Sequence, residues 1–386
     1  MQTIGRHSGD VSLYVHIPFC SKKCPYCHFF VLPDQDRLKQ QFLKALVIEW
    51  QMRLPQLQGK RIVSIYFGGG TPSRLKSTDL VSFLEQILSS GLEIAEDCEI
   101  TIEVNPEDVT PALMSHYYNG GINRVSLGIQ SLDDGQLNLL QRQHGAQKGI
   151  KAIEQVYASG IENISIDLMY DLPLQSLSNW KGTLERLQTL PITHLSLYNL
   201  TFEPHTGFFQ RQKELSPLLP SQELSLQLLQ EAILSIEELG LQRYEISAFA
   251  KPGCQSRHNV GYWTARPFLG FGPSAFSYWE GKRWSNVAHL NRYAQGLVEM
   301  SFPVDFTEEL PYPQNLSELF AVQLRLKAGV DLVLFQQSYG AFPESFTGVV
   351  SKLIEKGWME REGDRCSLTE QGMLFYDSIA VEIIGM

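Results

Sequence analysis

The chain reads as an α/β protein: a partial (β/α) barrel followed by a small C-terminal α+β domain of winged-helix type. Three observations predict this. Over the first 250 residues, short β-branched runs alternate with amphipathic stretches, the pattern of parallel βα units. The polar and glycine-rich interruptions of that pattern fall directly after the strand runs, as they do where barrel strands carry chemistry at their carboxyl ends. Beyond about residue 300 the texture changes to helices and a short hairpin. At 386 residues the chain exceeds what one hydrophobic core usually supports, so two domains are expected, residues 1–300 and 301–386.

Strands are predicted over residues 13–17, 62–67, 99–104, 124–128, 163–168, 193–198 and 244–249. Between the first two lies a helical pattern with Leu38, Phe42, Ala45 and Leu46 on one face. A cysteine loop follows the first strand and Gly68-Gly-Gly-Thr-Pro72 follows the second. Glu103-Val-Asn-Pro106 closes the third, Gly128-Ile-Gln130 the fourth, Asp167 lies near the end of the fifth, and Tyr198-Asn199 ends the sixth. In a barrel these ends share one face. Residues 205–220 read as a long loop. Ser221 can then cap a helix carrying Leu228, Ala232, Ile236 and Leu239 that stops at Gly240.

Pro311, Pro313 and the acidic run before them predict a linker. Helical patterns follow over residues 316–327 and 346–356, the second ended by Gly357. A hairpin over 358–361 and 365–368 comes next, joined by Glu362-Gly-Asp364, and Thr369 can cap a last helix. Residues 346–368 balance Lys352, Lys356, Arg361 and Arg365 against Glu355, Glu360, Glu362 and Asp364, so the wing lacks the basic face of a DNA reader. The net charge of −10 also speaks against non-specific nucleic-acid binding. No run reaches the length of a membrane span, and the first residues lack a signal-peptide core. Six cysteines, three of them clustered and Cys98, Cys254 and Cys366 scattered, do not form a disulfide framework; a reducing cytoplasm is expected.

The clustered three are Cys20, Cys24 and Cys27, spaced C-x3-C-x2-C. Soft thiolates on one short loop suit a [4Fe–4S] cluster, and three ligands on four irons leave one iron open. A structural zinc site is the alternative; it wants a fourth ligand, for which His16 and His28 are candidates. The glycine triplet is either a tight turn or a place where backbone approaches a ligand closely. Glu103 and Asp167 at strand ends are costly to bury without partners. They either pair with Arg124 or Arg142, or meet a ligand on the barrel face. In Cys254-Gln-Ser-Arg-His258-Asn-Val-Gly-Tyr262-Trp263, His258 is either a satisfied core histidine or an axial nitrogen for a planar macrocycle among aromatics.

The segments Ser12-Leu-Tyr-Val-His-Ile-Pro, Tyr66-Phe-Gly-Gly-Gly-Thr-Pro-Ser, Glu103-Val-Asn-Pro, Ser126-Leu-Gly-Ile-Gln-Ser131, Ile166-Asp-Leu-Met-Tyr and His258-Asn-Val-Gly-Tyr-Trp resemble, across almost the whole chain, the oxygen-independent coproporphyrinogen III oxidase group of radical S-adenosylmethionine (SAM) proteins. Within that group the chain is most similar to the branch of HemW-type haem chaperones. The resemblance implies a radical SAM barrel in which Cys20, Cys24 and Cys27 ligate the cluster and its open iron chelates SAM, whose reductive cleavage gives a 5′-deoxyadenosyl radical. It places Tyr14, Gly69 and Glu103 against a first SAM. Tyr26, Gly70, Thr71, Gln130, Arg142 and Asp167 correspond to a second SAM site, and His258 to the histidine of a haem-linked HNxxYW signature.

Two features place the chain with the chaperones. Phe29 stands where oxidases usually carry a fourth cysteine, and Cys20 follows the first residue of this sequence by only nineteen positions, whereas oxidases have a longer extension. Asp171, Leu174 and Phe276 depart from the glycines and histidine common among relatives, which weakens the second SAM site. The resemblance thus implies a cytoplasmic protein that binds haem and delivers it to an acceptor haemoprotein such as a respiratory enzyme, with a homodimer as a further expectation. The alternative is radical oxidative decarboxylation of coproporphyrinogen III.

Overall fold

The computed structural model describes residues 9–385. Six parallel strands form its centre: β1 (Asp10–Ile17), β2 (Arg61–Gly69), β3 (Glu93–Val104), β4 (Arg124–Gln130), β5 (Asn163–Tyr170) and β6 (His194–Asn199), neighbours in chain order. Parallel pairing requires a crossover between successive strands, and the amphipathic segments between them supply helices such as Asp36–Arg53, Ser77–Leu88, Ala146–Ala158 and Leu177–Leu187. Successive side chains of a strand point to opposite faces, and in β1 Ser12, Tyr14 and His16 occupy the face opposite the apolar one. In β1 Val11, Leu13, Val15 and Ile17 are all buried; each contributes about 2 kcal/mol of hydrophobic stabilisation. Phe42, Ala45, Leu46 and Trp50 seat the first helix on that layer.

The barrel is open. At one edge β6 pairs antiparallel with Ala248–Ala250, which pairs antiparallel with Gln242–Glu245. The single strand expected over residues 244–249 is therefore two strands turning at Ile246 and Ser247, because the chain reverses there to contact the C-terminal domain. At the other edge Phe268–Phe271 joins β1 in parallel, and Phe276–Trp279, Lys282–Asn286 and Val304–Glu308 extend the sheet antiparallel. The acidic run read as linker thus contains an edge strand, with Arg283 pairing Glu308 and Glu318.

Residues 205–220 differ from expectation too. They hold short helices, Gly207–Gln210 and Gln212–Leu215, pinned by buried Phe208 and Leu215. The Ser221 hydroxyl caps the next helix by accepting from the Leu224 N–H, and Gly240 ends it at φ 77°.

A second core gathers Leu316, Phe320, Leu353, Cys366, Ile379 and others under a three-stranded antiparallel sheet of Val330–Asp331, Arg365–Leu368 and Met359–Glu362. The helix Leu332–Tyr339 within it lies outside the predicted elements; the Asp331 side chain caps it by accepting from the Leu334 N–H. The two cores meet through Arg325, which pairs Glu245 at 3.3 Å and stacks over Trp263 at 4.3 Å. Among the described residues no helix is long and apolar enough to cross a membrane.

Candidate functional site

The carboxyl ends of β2 to β6 and the cysteine loop enclose an open cleft of about 520 Å³. Cys20, Cys24, Cys27, Tyr26, Gly69, Gly70, Thr71, Glu103, Gln130, Arg142 and Asp167 all line it. Eleven positions scattered over about 150 residues of sequence meet here because parallel strands end on one face. Tyr14 and His258 do not line it.

The cysteine loop is held against the barrel by backbone. Gly70 N donates to Ile17 O at 2.9 Å, and a Cβ on Gly70 would lie 2.8 Å from the Pro18 carbonyl carbon. On the far side Phe208 N donates to Pro25 O at 2.7 Å. The three thiols are half-buried and free. Burial pushes the Cys20 thiol up to about 11, against the Thr71 hydroxyl 3.4 Å away, and burial raises Cys27 as well. Such thiols ionise when a metal takes the proton's place.

Arg142 supplies a cation. Its Nη1 reaches Cys24 Sγ at 3.4 Å, and its Nη2 donates to Asn105 Oδ1 at 2.8 Å and Gly128 O at 2.9 Å. Burial works against this charge, but Tyr26, Cys24 and Glu107 hold the guanidinium above its ordinary range. The resemblance ties Arg142 to a second SAM; its contact in this structure is with a cluster cysteine. Asn105, which also donates to Thr71 Oγ1 at 3.1 Å, was not singled out in the sequence. Its place two residues beyond Glu103, on the same strand end, was the available signal.

Among the described residues, no three His, Cys, Asp or Glu side chains converge on one metal-ion position. His16, a candidate fourth zinc ligand, faces Phe30 O through Nε2 at 3.1 Å and the Tyr14 hydroxyl through Nδ1 at 3.2 Å. Three half-exposed thiols on one loop, beside a cation, suit a cubane that takes each ligand on a different iron.

The floor of the cleft is acidic. Glu103 accepts from Tyr66 OH at 2.9 Å and from Gly69 N at 3.0 Å. Burial, then the charge of Asp167, pushes it up to about 7; burial pushes Asp167 up to about 6. Arg124, the partner considered for these carboxylates, lies instead 4.0 Å from Glu99. Among the described residues the two acids therefore face the cleft without an ion pair, an arrangement suited to a cationic ligand. Gln130 reaches the lining from a left-handed backbone (φ 65°), strain of the kind that clusters at functional sites.

His258 lies behind this floor. It is 1% exposed; Nδ1 is 3.0 Å from Ser64 Oγ and Nε2 2.8 Å from Tyr262 OH. Its ring packs 4.9 Å from Tyr66 and 6.2 Å from Tyr14. Burial lowers it to about 3, so it stays neutral. With both nitrogens engaged and no open face, this histidine does not fit an axial haem ligand in this conformation.

The Radical SAM superfamily model matches residues 14–187, and the HemN C-terminal domain model matches residues 310–375. The heme chaperone HemW of Bacillus subtilis is 31% identical over 97% of this chain and 99% of its own length. The heme chaperone HemW of Escherichia coli is 32% identical over 96% of this chain and 97% of its own. Among solved structures, the coproporphyrinogen III oxidase HemN of Escherichia coli, a radical SAM enzyme, superposes with a TM-score of 0.84 at 26% identity, covering 97% of this chain and 89% of that one.

Proposed function

Because the chain belongs to the HemW branch of the radical SAM superfamily, we propose that it binds haem and passes it to an acceptor haemoprotein. The observation that carries this is likeness along nearly the entire length to proteins named as haem chaperones. Phe29, half exposed at the cleft where the oxidase pattern has a fourth cysteine, supports the same side of the family.

Radical SAM membership implies a [4Fe–4S] cluster and SAM, and the cleft has the donors for both. Cys20, Cys24 and Cys27 would hold the cluster. Bound together, the two groups supply reductive cleavage of a carbon–sulfur bond. Glu103 and Asp167 would face the cationic sulfonium and ammonium of SAM, while Arg142 steadies the thiolate of Cys24.

The raised Glu103 makes SAM affinity pH-dependent. The ligand-free site holds a proton near neutrality, which a cationic ligand must displace. Affinity therefore rises about ten-fold between pH 6 and 8, as the carboxyl passes from mostly protonated to mostly ionised around pH 7. In the ligand-free chain the sign is opposite. A carboxyl raised above its unfolded value stabilises the fold at low pH, and that stabilisation is lost as pH climbs through 7. Calorimetric SAM titration of cluster-loaded protein measures the first effect, and Glu103→Gln cuts it to the roughly two-fold change that Asp167, held near 6 by burial, still contributes. Equal affinities at pH 6 and 8 would refute the assignment.

The function is tested by incubating cluster-loaded protein anaerobically with SAM, a strong reductant and coproporphyrinogen III. The expected porphyrin mass is unchanged, while haem preloaded on the chain moves to an apo-haemoprotein. Multiple-turnover loss of two carboxyl groups would make the chain an oxidase, the reading favoured by its structural likeness to HemN.

A further inference from the structure

We propose that haem docks at the mouth of the cluster cleft with His28 as its axial ligand, and not at His258; this rests on the haem reading above. His28 is the residue after Cys27, exposed, and lines the cleft. Neither ring nitrogen has a hydrogen-bond partner among the described residues; its close contact is the Phe29 ring, 4.7 Å away. A free imidazole nitrogen beside open space is what haem iron takes, whereas both nitrogens of His258 are engaged in the interior.

The surroundings suit the macrocycle. Phe29 is 50% exposed and Tyr198 44%, both on the lining of the same cleft, and so present flat apolar surface that a porphyrin would cover. Charge suits it as well. In a chain of net charge −10, Lys22 and Lys23 stand together on this rim. Lys23 Nζ donates to Phe29 O at 3.0 Å, and Lys22 makes no ion pair among the described residues. Two ammonium groups beside the axial ligand match the two carboxylates of haem. Because His28 follows a cluster cysteine directly, haem seated there would cover the cleft, so loading of the cluster and loading of haem share one entrance.

The test is titration of the full chain, its cluster reconstituted anaerobically, with ferric protoporphyrin IX, read by Soret absorption and low-temperature electron paramagnetic resonance. His28→Ala is expected to bind at least about ten-fold more weakly and to lose the histidine-ligated signature. His28→Met is expected to keep haem with altered g-values, and Lys22→Glu with Lys23→Glu to weaken binding without changing the ligation spectrum. His258→Ala, with its fold checked by near-ultraviolet circular dichroism, should leave the spectrum of bound haem unchanged. Wild-type affinity and spectrum in His28→Ala would overturn the site and leave the haem reading standing. No saturable binding by the wild type would overturn both. His28 is exposed, so its variants test ligation and not folding.

Discussion

Alanine at Cys20, Cys24 or Cys27 removes the iron–sulfur cluster and leaves the barrel folded. Each thiol is half-buried on a loop outside the apolar core, so its loss opens no cavity of consequence. Two remaining thiolates cannot hold a cubane that three hold only with an open iron. After anaerobic reconstitution, iron should fall from about four atoms per chain to well under one. The broad absorption near 400 nm should vanish while the near-ultraviolet circular dichroism persists. Cys98→Ala and Cys366→Ala are the controls, since both thiols are buried away from the cleft. Full iron content in the Cys24→Ala chain would mean that another side chain completes the set, and the three-ligand assignment would fall.

Gly70→Ala is expected to have the next largest effect, through backbone. The new methyl would sit 2.8 Å from the Pro18 carbonyl carbon and 3.0 Å from Ile17 O and Phe19 N, none of which can rotate aside. The cysteine loop begins at this contact, so relief must come by moving the loop off β2 and breaking the bond from Gly70 N to Ile17 O. Overpacking of this kind costs about 1–3 kcal/mol. We expect a melting temperature lower by several degrees and cluster content at less than half of wild type. Gly182→Ala is the matched control: it lies within the helix Leu177–Leu187 with nothing within 4 Å, and alanine there should stabilise the helix by up to about 1 kcal/mol. Wild-type cluster content in Gly70→Ala would show that the loop is not positioned by this contact.

Much of the site was legible because its information is local. The spacing of three cysteines states a ligand set, and the recurrence of glycine, carboxylate and amide at the ends of β-branched runs states a shared face once the strands are parallel. The central strands required only that a short alternation be recognised, as in β5, where Ile164, Ile166 and Leu168 share one face and Ser165 and Asp167 the other. Where the chain was misread, the deciding contact was distant in sequence. Ile246 breaks the strand expected over residues 244–249 because its N–H bonds to Arg325 O in the other domain. Residues 304–308 become an edge strand because Lys282–Asn286 offers them a ladder. Residues 207–215 coil into helices because Phe208 and Leu215 find a small core with Leu140, Met169 and Leu172.

The sequence by itself determined the chemistry available: thiolates for a cluster, carboxylates for a cation, and a parallel scaffold that gathers them. Tertiary structure decided which group faces what. It turned Arg142 onto Cys24, set Tyr14 behind the cleft beside His16 and Tyr66, enclosed His258 between Ser64 and Tyr262, and left His28 open at the rim. Spacing along the chain states which donors exist. Burial and the orientation of a ring nitrogen depend on side chains up to 194 residues away, as Ser64 is from His258, and only the folded packing supplies them.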